Sequence, residues 1–340
     1  MRASDRMTWL RRHPLTAVAA LVAAIWALLI AASFLVPVLP ADSGQYRALD
    51  NRAYTARALY WICTDTSPGD QLIVIGPSSA RAFAPADRAA LDPGSRHHLM
   101  HMAGAPVDEL ATLADTLVNC LPPERAARTR LVIATHYLSF LPPIPLLASI
   151  PTLGRYLENT GAFEIGPDGP HLAARLTAPV TGPVLRLIER PVFAAGTVGV
   201  AAWRRIHARH YATADPPPEV RETAQRGMID SFVRNIGDRS VDAPDSLARL
   251  DALIRAVHRL QAAGIRVTVY QSVESRALRQ AVPQLAAFRR LEARALDKAG
   301  IPHIDFGDEI ADDEFVDGVH ALQTAQPHWS RLLLQRLGDL

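Results

Sequence analysis

The stretch QLIVIGPSSARAF, residues 71–83, decides how the rest of the chain is interpreted. Four consecutive apolar residues, 72–75, are typical of a buried strand. They are followed by Gly76, Pro77, Ser78 and Ser79. Glycine and proline predict a turn at the end of the strand, but a turn does not require two serines. One of the two hydroxyls is therefore a candidate nucleophile.

Short apolar runs similar to this one recur along the chain and alternate with helical patterns. The runs are residues 98–102, 131–134, 265–270 and 301–306. Helical spacing of apolar residues covers 247–260, closed by Gly264, and 285–296, closed by Gly300. The alternation predicts an α/β fold with a parallel sheet and helices on both faces. Sites in such sheets lie at the carboxyl ends of the strands, where Ser78 stands.

Residues 142–245 interrupt this alternation. They contain no convincing strand and mix prolines and glycines with apolar residues, which predicts a largely helical insertion. Within it, residues 191–203 are uncharged but too few to cross a bilayer. They form either a helix buried against the main domain or a helix that lies on a membrane surface or lines the substrate site.

The N-terminal region predicts a membrane anchor, because residues 15–39 contain no charge. At about 1.5 Å per residue, a helix of this length exceeds the roughly 30 Å of bilayer hydrocarbon. Arginines precede it at positions 2, 6, 11 and 12, and the first charge after it is Asp42. The positive-inside rule then places residues 1–14 in the cytoplasm, 15–39 in the inner membrane, and 40–340 outside, in the periplasm. A cleaved signal peptide is the alternative, although its apolar region is usually shorter.

Composition and cysteine content agree with a folded extracytoplasmic domain. Apolar residues make up 49% and charged residues 21% of the chain, which excludes a disordered protein. The 36 basic residues are interspersed with 34 acidic ones, so no basic stripe indicates a nucleic-acid partner. Cys63 and Cys120 both follow the anchor, and an oxidising compartment allows them to form a disulfide. Two buried thiols are the alternative.

A serine nucleophile needs a base to remove its proton and an acid to orient that base. Asp317 and His320 lie three residues apart, after the last predicted strand and before the last helix. In a tight turn, this spacing brings both side chains to one side, so that the acid holds one imidazole nitrogen while the other faces the serine. The D-x-x-H motif is a candidate for the acid and base of the site mainly because of its position between the last predicted strand and the last helix.

Together these motifs resemble the SGNH (GDSL-like) hydrolase superfamily. The likeness lies in the strand followed by G-x-S-S-x-R, in MAGAPVDEL at 102–110 and in FVDGVH at 315–320. It extends over roughly 72–141 and 265–337 and leaves out the insertion. The similarity is greatest to a membrane-anchored, extracytoplasmic branch that includes the alginate O-acetyltransferase accessory proteins and the protein that assists D-alanylation of lipoteichoic acid.

The resemblance implies a flavodoxin-like three-layer α/β/α sandwich with a Ser-His-Asp triad, here Ser78, His320 and Asp317. It also implies an oxyanion hole formed by the backbone amides of Ser78 and Gly104. No metal or dissociable cofactor is implied.

The chain departs from the family pattern at two places. The first block usually has Asp or Ser where this chain has Pro77, and the third block usually supplies an asparagine to the oxyanion hole. Here the third strand ends in ATHYLSF, residues 134–140. Thr135, His136 or Tyr137 could donate instead, or the hole has only two donors.

Other interpretations of these residues stay open in the sequence. Ser78 could cap a short helix that begins near Ser79, and Ser79 could be the nucleophile in place of Ser78. His97, His98 and His101 resemble a metal cluster, but alternation along a strand sends His98 to the opposite face from the other two. A metal site is therefore not predicted here.

We expect a serine esterase or O-acyltransferase that acts on an acyl ester of an envelope or secreted glycan, working with a membrane acyltransferase partner. The glycan and the partner follow from the resemblance alone. The alternative, from another functional class, is a non-catalytic anchored scaffold or glycan-binding subunit of an acyl-export complex. Pro77 and the missing asparagine favour that alternative, whereas the serine, histidine and aspartate favour the enzyme.

Overall fold

The structure, a computed structural model, describes residues 14–33, 52–142, 152–159, 162–173 and 215–339. Its strands are β1 (Gln71–Gly76), β2 (Arg96–His101), β3 (Thr129–Thr135), β4 (Phe163–Gly166), β5 (Gly169–Leu172), β6 (Arg266–Gln271) and β7 (His303–Asp305). Its helices are α1 (Pro14–Ser33), α2 (Arg52–Thr64), α3 (Pro85–Leu91), α4 (Val107–Cys120), α5 (Pro123–Ala126), α6 (Leu153–Asn159), α7 (Pro218–Ile236), α8 (Pro244–Ala262), α9 (Arg276–Ala281), α10 (Pro283–Lys298) and α11 (Gln326–Asp339).

Five strands pair in parallel in the order β2-β1-β3-β6-β7. The chain thus runs outward from β1 to β2, returns to place β3 on the other side of β1, and continues in that direction. The five apolar runs predicted as strands all belong to this sheet. The last one is shorter than expected, because pairing covers only His303–Asp305 of the predicted 301–306. The α/β class expected from the sequence is confirmed.

Alternate residues of the strands contribute to two separate cores, one on each face of the sheet. In β1, Ile73 and Ile75 join the larger core, whereas Leu72 and Val74 join the smaller one. Helices α2, α4, α8 and α10 complete the larger core, and α11 contributes Trp329 to the smaller one. Strands that are buried on both faces need to be apolar at every position, which explains the continuous apolar run at 72–75.

The segment predicted as a largely helical insertion contains strands as well as helices. β4 and β5 form an antiparallel pair within it, so the expectation of no strand at 142–245 is wrong for residues 163–172. Each strand is only four residues long, and the intervening turn is rich in glycine and proline, so the pattern resembled a loop. Residues 191–203 lie outside the described residues.

The predicted anchor at 15–39 corresponds in the structure to helix α1, and residues 34–39 lie outside the described ranges. Across the part of the chain that is described, no helix combines the length and apolarity needed to cross a membrane.

Cys63 and Cys120 are joined by a disulfide, with their Cα atoms 5.3 Å apart. Cys63 lies near the end of α2, and Cys120 is the last residue of α4. The bond therefore fastens the segment before the first strand to the helix that follows the second strand.

Candidate active site

The candidate nucleophile lies on a sharp turn at the carboxyl end of β1. Gly76 packs so closely on β3 that a Cβ at this position would lie 2.6 Å from Cβ of Ala134. Pro77 is extended, with φ −69° and ψ −175°, and a 3₁₀ turn, Ser78–Ala82, follows it at once. Ala80 N donates to Pro77 O at 3.0 Å, which closes that turn. The side chain of Ser78 is thereby held at the edge of the sheet where sites of parallel sheets form.

The candidate base and acid lie in a second tight turn, shortly before α11. Phe315 and Ala321 pair as an antiparallel bridge, and Val316 N donates to His320 O at 2.8 Å. This pairing folds the D-x-x-H motif back on itself. Asp317 Oδ1 also accepts from His320 N at 3.0 Å and from Val319 N at 3.1 Å, so the turn is stabilised by the aspartate that it presents.

The two turns bring Ser78, His320 and Asp317 into one hydrogen-bonded chain. Ser78 Oγ lies 2.9 Å from His320 Nε2, and His320 Nδ1 lies 2.7 Å from Asp317 Oδ2. The imidazole is one quarter exposed, so a substrate can approach it from solvent. A serine hydroxyl, an imidazole and a carboxylate in this order can pass a proton away from the hydroxyl oxygen and activate it for attack on a carbonyl carbon.

The tautomer of the His320 imidazole follows from the surroundings of the Asp317 carboxyl group. Burial alone would raise the pKa of its carboxyl, but the hydrogen bond and charge of His320 and the two backbone amides outweigh burial and lower the pKa. An ionised carboxylate only accepts hydrogen bonds. The proton of neutral His320 therefore resides on Nδ1, and Nε2 accepts from the hydroxyl of Ser78.

Ser79, the alternative nucleophile, points elsewhere. Its Oγ lies 2.8 Å from Ser272 Oγ in a buried pair, away from the imidazole. The other alternative, a capping role for Ser78, also differs from what is observed, because the cap position of the 3₁₀ turn is Pro77 and the Ser78 hydroxyl is on His320. Of the two serines, the structure brings Ser78 to the histidine.

Gly104, the expected second oxyanion donor, lies in the turn after β2. Met102 N donates to Gly76 O at 2.9 Å, so this turn begins directly beside the end of β1. Ala105 N then donates to Met102 O at 3.2 Å, and Gly104 has φ +57°. The turns that carry Ser78 and Gly104 therefore leave the sheet side by side.

The three side chains considered as a further oxyanion donor are buried and engaged in other contacts. Thr135 Oγ1 donates to Tyr270 O at 3.4 Å, His136 Nε2 lies 3.2 Å from Glu274 Oε1, and Tyr137 stacks on Phe288 with ring centroids 4.6 Å apart. Burial also raises the pKa of the Tyr137 hydroxyl. The end of β3 thus contributes no side chain to the Ser78–His320 pair.

A buried charged cluster beside the end of β6 was not predicted. Arg289 Nη2 lies 2.5 Å from Glu274 Oε2, and Gln271 Nε2 donates to Glu292 Oε2 at 3.0 Å. Burial would raise the pKa of Glu274, but Arg289 and His136 lower it overall; burial raises the pKa of Glu292 to about 7. These residues form no motif in the sequence. The only feature of the sequence that could have indicated this cluster is that polar residues directly follow the predicted strand at 265–270.

The histidines of β2 do not converge on a metal site. His97 Nε2 lies 2.8 Å from Asp92 O, and burial lowers the pKa of this imidazole. Among the described residues, no group of three or more His, Cys, Asp or Glu side chains could hold a metal ion.

The sequence matches no protein-family model, and no curated protein matches it.

Proposed function

We propose that this chain is a serine esterase or O-acyltransferase in which Ser78, His320 and Asp317 act as the triad. The observation that carries the proposal is the continuous relay of contacts, 2.9 Å from Ser78 Oγ to His320 Nε2 and 2.7 Å from His320 Nδ1 to Asp317 Oδ2. A serine that only caps a helix does not need an imidazole on its hydroxyl. A histidine that is only part of a surface turn does not need a serine on one ring nitrogen and a carboxylate on the other.

In the proposed reaction, His320 Nε2 takes the proton of Ser78 while Oγ forms a bond to the acyl carbonyl carbon. The tetrahedral intermediate collapses, the bond to the leaving alcohol breaks, and His320 returns the proton to that alcohol. An acceptor hydroxyl then repeats these steps on the acyl-enzyme and releases Ser78. If the acceptor is water, the result is hydrolysis; if it is a sugar hydroxyl, the result is transfer. Asp317 holds the imidazole and stabilises its charged form.

The oxyanion is proposed to bind the amides of Ser78 and Gly104. The first amides of a helical turn have no carbonyl within that turn to bond to, and Ser78 begins such a turn. Because Thr135, His136 and Tyr137 are engaged elsewhere, the hole is proposed to have two donors. Loss of one donor typically lowers the rate about 100- to 1000-fold, so we expect a slow enzyme.

The resemblance to the SGNH superfamily is part of the proposal, together with a flavodoxin-like three-layer arrangement. Three observations support it: the strand order β2-β1-β3-β6-β7, the separate cores on the two faces, and the D-x-x-H turn shortly before the last helix. Ser78 follows β1, the strand at which the order reverses. Sites in doubly wound sheets form at such a switch point.

We also propose that the domain lies outside the cytoplasm, acts on a glycan ester and works with a membrane acyltransferase. The disulfide between Cys63 and Cys120 supports an oxidising compartment, and the charge pattern around residues 15–39 supports the orientation. Alkaline phosphatase fused after Gly44 should be active in a bacterial host. An inactive, stably expressed fusion would show that residues after 44 stay in the cytoplasm.

A non-catalytic scaffold is the second candidate. The contacts of Thr135, His136 and Tyr137 favour it, because they remove the side chains that could have replaced the missing asparagine.

A fluorophosphonate probe separates the two candidates, since only an activated serine reacts quickly with it. The wild-type protein and Ser330→Ala should be labelled, and Ser78→Ala should not. Ser330 is a suitable control because it is fully buried in α11 and its Oγ has no hydrogen-bond partner among the described residues. Labelling of Ser78→Ala at the wild-type rate, or no labelling of folded wild-type protein, would favour the scaffold.

A further inference from the structure

The residues that connect β6 to α9 form a loop that is buried along its whole length. We name residues 272–275 the β6 loop; Ser272, Val273, Glu274 and Ser275 are 3%, 1%, 4% and 0% exposed, respectively. Connecting loops normally run over the surface, because buried backbone groups need partners there. The partners of this loop therefore indicate what it holds in place.

The β6 loop touches both turns of the proposed triad. Ser272 Oγ lies 2.8 Å from the Oγ of Ser79, the residue directly after the nucleophile. Three residues later, Ser275 N donates to Gly318 O at 2.8 Å, and Gly318 directly follows Asp317. Gly318 has φ +96°, and a Cβ there would lie 2.9 Å from Ser275 Oγ, so this contact has no room for a side chain. One short loop thus bridges the nucleophile turn and the acid-base turn.

The loop is itself fixed by Arg289 of α10. Arg289 Nη2 donates to Ser272 O at 2.7 Å and pairs with Glu274 Oε2 at 2.5 Å, while Nη1 lies 3.3 Å from Asp305 Oδ1. The other oxygen of Glu274 lies 3.2 Å from His136 Nε2. The charges of Arg289 and Glu274 are thus paired inside the protein.

Burial and the neighbouring cationic groups act on the pKa of the Glu274 carboxyl in opposite directions. Burial raises the pKa of its carboxyl, but the charge of Arg289, the hydrogen bond and charge of His136, and the charge of Arg279 lower it overall. Removing either partner of the pair takes the closest opposite charge away from a buried ion, and such changes are strongly destabilising. The hydrogen bond between Ser79 and Ser272 offers a milder way to test the loop.

We propose that Ser272 is a positioning residue, which fixes the Ser78 turn against the Asp317–His320 turn and is itself held by Arg289 and Glu274. Neither Ser272 nor Ser79 is proposed to touch the reacting atoms, because their hydroxyls bond to each other. The inference rests on the proposed function, because there must be a nucleophile to position. A misplacement of about 1 Å at a reacting group can lower a rate about 100-fold, so the loss of one buried contact next to Ser78 should be measurable.

The test is a double-mutant cycle on this hydrogen bond, read as the rate of fluorophosphonate labelling. Ser272→Ala and Ser79→Ala should each lower the maximal labelling rate roughly 10- to 100-fold, with the probe concentration at half-maximal rate nearly unchanged. The double variant should be no slower than the slower single variant, because both changes remove the same contact. Ser330→Ala, a buried serine outside this network, should keep the wild-type rate.

The melting temperature is measured for every variant, so that a folding defect is not mistaken for misplacement. If Ser272→Ala does not fold, Ser79→Ala removes the same bond from the other side and carries the same expectation. Wild-type rates in both folded single variants, or rate losses that multiply in the double variant, would overturn the positioning role while leaving the proposed function intact. If the folded wild-type protein did not react with the probe, that result would instead contradict the proposed function, and the positioning role would fail with it.

Discussion

Ser78 Oγ and His320 Nε2 lie 2.9 Å apart although the two residues are 242 positions apart in the chain. Ser78 is held by the close approach of Gly76 to Ala134, and His320 by the bridged turn around Asp317. The local sequence of each turn determines the conformation of that turn but not its position relative to the other turn. Their meeting is a property of the fold, which sets the end of β1 beside the segment that precedes α11.

Asp317→Asn should lower the labelling rate and the esterase rate by about 10⁴-fold, with little change in fold. The amide can present an N–H group to His320 Nδ1, which favours the wrong tautomer of the imidazole. Asp251→Asn, an exposed change in α8, should leave both rates unchanged. Hydrolysis of p-nitrophenyl acetate and probe labelling both measure the effect. A rate within tenfold of wild type would show that Asp317 does not orient the histidine.

Gly76→Ala should destabilise the protein by about 1–3 kcal/mol and lower the labelling rate. The new methyl group would lie 2.6 Å from Ala134 Cβ and 2.8 Å from its carbonyl oxygen, so β1 has to shift just before Ser78. The matched control is Gly227→Ala in α7, where a Cβ meets nothing within 4 Å. There the better helix propensity should stabilise the protein by roughly 1 kcal/mol. Thermal unfolding of the two variants should therefore shift in opposite directions, and equal shifts would contradict the close approach.

The strands were predictable because a parallel sheet covered on both faces requires continuous apolar runs, as at residues 72–75. The D-x-x-H turn was predictable from its place before the last helix. The contact of Ser79 with Ser272 and the pairing of Glu274 with Arg289 were not. These contacts depend on which loops the strand order brings together. The local sequence around a buried polar residue does not indicate which distant residue it will contact. The β4–β5 hairpin was missed because its strands are too short to show alternation.

Glu292→Gln should reduce the pH dependence of stability near neutrality. Burial raises the pKa of Glu292 from its ordinary 4.5 to about 7, so the folded state holds this proton more tightly than the unfolded state. Its stabilising contribution is fully present below about pH 4.5 and is lost as the pH rises through about 7. The neutral amide avoids that loss, so the variant should gain stability relative to wild type between pH 5 and 8, on the order of 3 kcal/mol at most.

Urea unfolding at about pH 5 and about pH 8 measures this gain. Glu222→Gln, an exposed change in α7, serves as the control and should not alter the pH dependence. A difference between Glu292→Gln and wild type that is the same at both pH values would show that Glu292 does not titrate in this range.

Reducing the disulfide should destabilise the domain without removing the triad. Cys63 and Cys120 are 57 residues apart, and closing a loop of that size corresponds to about 4 kcal/mol of unfolded-state entropy. The paired change Cys63→Ala with Cys120→Ala should therefore lower the melting temperature, and the remaining folded protein should still react with the probe. Full alkylation of both thiols in denatured, unreduced wild-type protein would show that the bond does not form.

The most direct test is to identify the atom that reacts. The wild-type protein is treated with a fluorophosphonate, digested, and analysed by mass spectrometry that separates modification of Ser78 from modification of Ser79. We expect one phosphonyl adduct, on Ser78, which is abolished in His320→Ala and retained in Ser330→Ala. An adduct on Ser79 would move the nucleophile by one residue and contradict a catalytic role for the 2.9 Å contact between Ser78 Oγ and His320 Nε2. No adduct on either serine of the folded protein would contradict acyl transfer altogether.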